Sequence, residues 1–194
     1  MNLDLMTERL RLKPLAQTDV DIAVEMFTDP AVVKYMGNQL MSEDEICKEM
    51  AVWMKRGGNG CIGIWCISDL ETGEKYGSGF LLPMPVDEDD TDWDLVVPGV
   101  MPDCDVEVGY ELKRSAWGNG FATEVCRRLL RFAFEETPLQ EIVATIDDGN
   151  EKSINVLRKS GLSYRGRRKT YGEDSPYFRI KRLEWINLTK GENC

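Results

Sequence analysis

The run VEVGYELKRSAWGNGFATEVCRRLL, residues 106–130, combines residue types suited to chemistry. Val106, Val108, Tyr110 and Leu112 alternate with Glu107, Gly109 and Glu111, which predicts a strand over 105–113. Gly118-Asn119-Gly120 then opens a predicted helix to about residue 136, with Phe121, Ala122, Val125, Cys126, Leu129, Phe132 and Ala133 along one stripe. Glycine lets the chain turn sharply and lets backbone N–H groups approach an anion. The positive end of the following helix dipole points at the same place. The combination predicts a phosphate or pyrophosphate cradle over residues 118–123. An ordinary tight turn with helix capping would use the same residues. Neither common phosphate motif fits: there is no G-x-x-x-x-G-K-[ST], and Gly118-Asn119-Gly120 runs into Phe121, Ala122 and Thr123 without a third glycine.

Histidine is absent. That removes Ser-His-Asp and Cys-His triads and the His-containing zinc sites. A general base must be a carboxylate, a tyrosine, a shifted lysine or a water. No two of the six cysteines (Cys47, Cys61, Cys66, Cys104, Cys126 and Cys194) have C-x-x-C spacing, and no metal site is expected. Several sit in apolar runs and read as reduced, partly buried thiols. Cys126, in the helix stripe, reads as core and not as nucleophile.

The elements that must position these residues fit one α/β domain over 1–194. A strand is predicted over 7–15 and a helix from about 18 to 29. A second helix starts at Ser42 with Glu45 completing a capping box. Strands at 60–68 and 75–82 flank a hairpin-like turn. A short strand over 140–146, a helix over 151–160 closed by Gly161, and strands over 162–169 and 177–188 complete the chain. The formal charge is −10, which argues against nucleic acid as a partner. No run is long and apolar enough to span a membrane, and the N-terminus does not read as a secretory leader; a cytoplasmic protein is expected. The charge is uneven. Residues 83–112 hold ten acidic and no basic residues; residues 151–190 hold eleven basic and four acidic. The segment 83–103 reads as an irregular insertion across the surface, either simply solvated or an acidic rim that attracts a cationic substrate.

At this point the sequence resembles a known family. W-G-N-G-F-A-T-E, residues 117–124, preceded by E-V-G-Y-E-L, residues 107–112, looks like motif A of the GNAT N-acetyltransferase superfamily. D-D-G-N-E-K-S-I-N-V-L-R-K-S-G-L, residues 147–162, resembles its motif B, and the opening T-E-R-L-R-L-K-P-L is similar to the RimJ/RimL branch, which acetylates ribosomal-protein N-termini and related amines.

The resemblance implies a mixed central sheet splayed between two strands, helices on both faces, acetyl-CoA as donor, and direct transfer to a primary amine: a protein N-terminus or a small cationic amine. It leaves room for a homodimer. Carried over residue by residue, backbone N–H groups of Gly118, Gly120, Phe121 and Ala122 would hold the pyrophosphate, with Trp117, Asn119 and Thr123 in the same loop. The main chain at Glu111 and Leu112 would pair with the pantetheine arm, and Asn150 would hydrogen-bond it; Asn150 also suits a plain N-cap. A tyrosine that many members carry in motif B is Leu157 here, so no tyrosine acid is available at that position. Ser153 matches a serine taken as the proton donor to the thiolate in the RimL-like branch, and would also suit an ordinary first-turn serine. Glu107 is the best carboxylate for the base, with Glu111 and Asp105 behind it, although a solvated strand residue would look the same. Tyr171 and Glu173 are candidates for acceptor contacts. The alternative is a non-catalytic acyl-CoA-binding or regulatory module of the same fold.

Overall fold

The computed structural model describes residues 1–37 and 39–192. Cys194 lies outside the described residues. Among the described residues, eight strands form one sheet in the order β1-β2-β3-β4-β5-β6-β8-β7. In chain order they are β1 Leu5–Met6, β2 Leu10–Pro14, β3 Gly63–Asp69, β4 Lys75–Pro83, β5 Val106–Leu112, β6 Glu141–Thr145, β7 Ser163–Thr170 and β8 Glu173–Lys181. Every neighbouring pair is antiparallel except β5 with β6, which run parallel and meet through a single pair, Glu107 opposite Val143. Beyond that pair β5 stays on β4 while β6 stays on β8, so the sheet opens between β5 and β6 as a splay.

Among the described residues, six helices cover both faces: α1 Val20–Phe27, α2 Pro30–Val33, α3 Glu43–Trp53, α4 Phe121–Glu136, α5 Glu151–Lys159 and α6 Arg182–Glu192. On one face Ile22 and Met26 of α1 meet Cys66 of β3, and Ala23 of α1 meets Ile46 and Met50 of α3. On the other, Val125, Leu129 and Phe132 of α4 pack into the main core, with the Phe132 ring edge-on to Trp65 at 5.7 Å. The predicted capping box closes α3: Ser42 Oγ accepts from the Glu45 N–H at 3.3 Å and Glu45 Oε2 accepts from the Ser42 N–H at 2.7 Å.

One expectation needs correction. The last strand does not run to 188: the chain turns into α6 at Arg182. Glu184 Oε2 accepts the Lys181 N–H at 2.7 Å, and the Arg182 guanidinium donates to the carbonyls of Thr137 and Leu139 at 2.6 Å, beyond the C-terminus of α4. The acidic segment does run as an irregular, largely exposed loop, but it is anchored. Met84 and Val96 are buried, and the Gly58 N–H reaches the Val97 and Val100 carbonyls, which ties the segment to the loop before β3. No helix among the described residues is long and apolar enough to cross a membrane. The five described cysteines carry free thiols: Cys61, Cys66 and Cys126 buried, Cys47 and Cys104 exposed. Burial pushes the Cys126 thiol up to about 12, consistent with a core residue.

Candidate active site

Three features converge on the splay. The first is the turn from β5 into α4. Gly118 and Gly120 have φ of +79° and +82°, a left-handed conformation that glycine adopts without steric penalty. Gly120 is the N-cap of α4 and offers no side chain to the helix N–H groups. Among the described residues, no acceptor is found for the N–H groups of Gly118, Gly120, Phe121, Ala122 or Thr123. A diphosphate has the oxygens such a cradle lacks, so these residues fit the group that the resemblance implies. The Asn119 side chain folds back onto the Ala116 and Trp117 carbonyls (3.3 and 3.2 Å) and stays out of the cradle. Trp117 ties loop to strand: its indole N–H donates to the Leu112 carbonyl at 2.7 Å, and the Lys152 ammonium sits over its ring at 5.4 Å. The Leu112 carbonyl therefore already has one partner, and Glu111 marks the end of β5 that faces the opened splay.

The second feature is the first turn of α5. Asn150 Oδ1 accepts the Ser153 N–H at 3.2 Å, so the residue does serve as an N-cap, with its amide nitrogen left as a donor. Ser153 Oγ lies 2.8 Å from the hydroxyl of Tyr110 on β5. Burial holds the Tyr110 phenol well above its usual range, so it stays protonated and supports the serine as a hydrogen-bond partner. Leu157 is fully buried in the core.

The third feature is a pair of carboxylates on the opposite face of β5. Glu107 is 4% exposed and so is not the solvated strand residue that its pattern also allowed. Burial, with Glu111 adding like charge, pushes its carboxyl up to about 8, against the hydrogen bond that Tyr171 donates to Oε1. Burial pushes Glu111 up to about 7, and Ser78 on β4 donates to it at 3.2 Å. The Phe80 ring lies against Gly109, between the two acids; only a residue without a side chain leaves room for it. Asp105 is paired with Arg168. Glu173, at the start of β8, is exposed.

Tyr171 gave little sign of its role in sequence. It occupies the β7–β8 turn at φ +52° and is held from both sides by the acidic segment. The Asp87 N–H donates to the Lys169 carbonyl at 3.2 Å, the Gly172 N–H donates to the Glu88 carbonyl at 2.9 Å, and Thr91 Oγ1 lies 3.5 Å from the Tyr171 hydroxyl. The acidic segment thus stands beside Glu107.

A parallel pair of strands parts beside a glycine turn, with a buried acid on one face of β5 and a serine on the other, an arrangement suited to group transfer. Comparison with known proteins makes this specific. A family model described as acetyltransferase (GNAT) domain matches residues 9–163. The chain is 29% identical to the uncharacterized protein YkkB of Bacillus subtilis over 162 residues, 82% of this chain and 85% of that one. It is 26% identical to the FsC-acetyl coenzyme A-N(2)-transacetylase of Aspergillus fumigatus, across 96% of this chain and 79% of that one. Among solved structures, aminoglycoside acetyltransferase AAC(6′)-Ib in complex with coenzyme A superposes with a TM-score of 0.71 at 16% identity, covering 93% of this chain and 99% of that one. The chain belongs to the GNAT acetyltransferase family and is an acetyltransferase.

Proposed function

We propose that the protein transfers the acetyl group of acetyl-CoA directly to a primary amine, as a RimJ/RimL-like member of its family. The observation that carries this reading is Glu107: an acid held out of water at the point where β5 and β6 begin to part, across β5 from Ser153. Acetyl-CoA, when bound, supplies an activated thioester. Backbone N–H groups of Gly118, Gly120, Phe121 and Ala122 hold its diphosphate, and the Asn150 amide and the β5 main chain orient its arm. Glu107 takes the proton of the amine, directly or through water, and Ser153 gives a proton to the departing sulfur. A backbone N–H between Gly109 and Glu111 supports the carbonyl oxygen as charge develops on it. No covalent bond to the protein is required.

The acidic segment supports a cationic acceptor, either a basic peptide N-terminus or a small polyamine. It stands beside the base and carries no basic residue to offset its charge. A non-catalytic binding module has no need of an acid desolvated at this point. Calorimetry with coenzyme A, followed by thiol release from acetyl-CoA across a panel of amines, tests both readings. Binding and turnover support transfer, binding without turnover on any amine leaves the module, and no binding defeats both.

Ser153→Ala is expected to lower kcat by about tenfold. The effect is modest because a thiol with a pKa of about 8.5 is a good leaving group without full protonation. Single-turnover rates measured with a weakly basic and a strongly basic amine check it. Tyr171→Phe removes a hydrogen bond that favours the ionised form of Glu107. It should move the acidic limb of kcat/KM upward by about one pH unit, since a bond to a charged group contributes about 1.5–3 kcal/mol and one unit is about 1.4 kcal/mol. An unshifted limb would separate Tyr171 from the base.

A further inference from the structure

The opening Thr7-Glu8-Arg9 lies far in sequence from the cradle and touches it. Arg9 Nη1 donates to the Asn119 carbonyl at 3.0 Å. Its Nε and Nη2 both grip Glu124 Oε2, at 2.8 and 2.6 Å, and its backbone N–H donates to Glu124 Oε1 at 3.0 Å. The Thr7 hydroxyl donates to that same Oε1. The guanidinium also covers the Phe121 ring at 4.7 Å, and that ring stacks on Tyr76 at 4.9 Å. A turn at the sheet edge is thereby fastened to the loop and to the first turn of α4.

We propose that Arg9 is a positioning residue that sets the diphosphate cradle, an inference that rests on the acetyl-CoA reading above. The peptide between Asn119 and Gly120 is planar and trans, so its N–H and C=O point in opposite directions. Arg9 holds the carbonyl, which turns the Gly120 N–H away from the arginine and into the cradle. Arg9 also answers a charge problem. Glu124 sits in the first turn of α4, where its negative charge would oppose an anion held at the same helix end. The paired guanidinium neutralises it, and the bonds from Thr7 and Arg9 keep Glu124 below the usual carboxylate range despite its partial burial. The arrangement needs a planar fork as well as a charge, because three separate nitrogens face two differently placed acceptors.

The test compares acetyl-CoA with acetyl-pantetheine, a donor that lacks the diphosphate, on full-length protein. Arg9→Met should weaken coenzyme A binding by at least tenfold in calorimetry. It should also lower kcat/KM for acetyl-CoA at least tenfold more than kcat/KM for acetyl-pantetheine. Arg9→Lys should recover little of this. Equal losses on the two donors, or full recovery by lysine, overturn the proposal: the first would show general damage, the second that charge alone matters. Should circular dichroism show Arg9→Met unfolded, Arg9→Lys, which keeps the charge beside Glu124 but lacks the fork that reaches the Asn119 carbonyl, must show the selective loss on acetyl-CoA for the proposal to stand. Wild-type protein that binds no coenzyme A would instead defeat the acetyl-CoA reading, and this inference with it.

Discussion

Glu107→Gln is expected to lower kcat/KM for an amine acceptor by about 10²- to 10⁴-fold, the range that a positioned general base contributes, while coenzyme A affinity stays near wild type. Glutamine keeps the volume of the side chain and a hydrogen-bonding oxygen for Tyr171, so the loss reports proton transfer and not packing. The pH profile supplies the sharper reading. A base must be ionised to act, and burial with the neighbouring Glu111 raises Glu107 to about 8. Activity that depends on it therefore rises with pH through that range and is lost as pH falls below it. An ε-amine is the acceptor to use, because its own titration near 10.4 lies well clear, whereas an α-amine at about 7.7–8.0 would overlap. Log kcat/KM should gain one unit of slope below about pH 8 in the wild type, and that unit should vanish in Glu107→Gln. A glutamine variant with wild-type turnover and an unchanged profile would remove Glu107 from the chemistry.

How far this site could be read in advance depended on how local its signals are. The glycine turn, the amphipathic stripe of α4 and the Ser42–Glu45 box are encoded within a few residues, and the structure holds each of them. Glu107 shows the limit of alternation. A period of two separates the faces of β5, but it does not reveal that β5 is central and covered on both, so the pattern could not distinguish a buried acid from a wet one. Tyr171 reaches Glu107 across 64 residues of sequence, and Arg9 reaches Glu124 across 115. Neither carries a periodic signature, since topology alone creates each contact. The end of β8 failed for a related reason. Lys181 has no capping side chain, and α6 starts because Glu184 folds back to its N–H while Arg182 is occupied at the end of α4.

The fold offers an equally strong test away from the acids. Gly77→Ala should lower the unfolding free energy by on the order of 3 kcal/mol, adding a positive-φ penalty of about 1–2 kcal/mol to overpacking of about 1–3 kcal/mol. Gly77 has φ +152° and sits where β4 meets Leu112, at the end of β5. A methyl group there would press into the Glu111 carbonyl oxygen and stand 2.9 Å from the Leu112 Cα. Both are backbone atoms, so no rotamer change relieves the clash; the strand itself must shift. Gly73→Ala is the control. It has φ +74° but nothing within 4 Å of the added carbon, so it carries the conformational penalty alone, about 1 kcal/mol. Urea unfolding of the two variants isolates the contact: a difference below about 0.5 kcal/mol would show that β4 and β5 yield there more readily than their close approach implies. The displaced strand end is the one that carries Leu112, whose carbonyl anchors Trp117 and with it the cradle. Gly77→Ala should therefore also weaken coenzyme A binding under conditions where the variant remains folded, and Gly73→Ala should not.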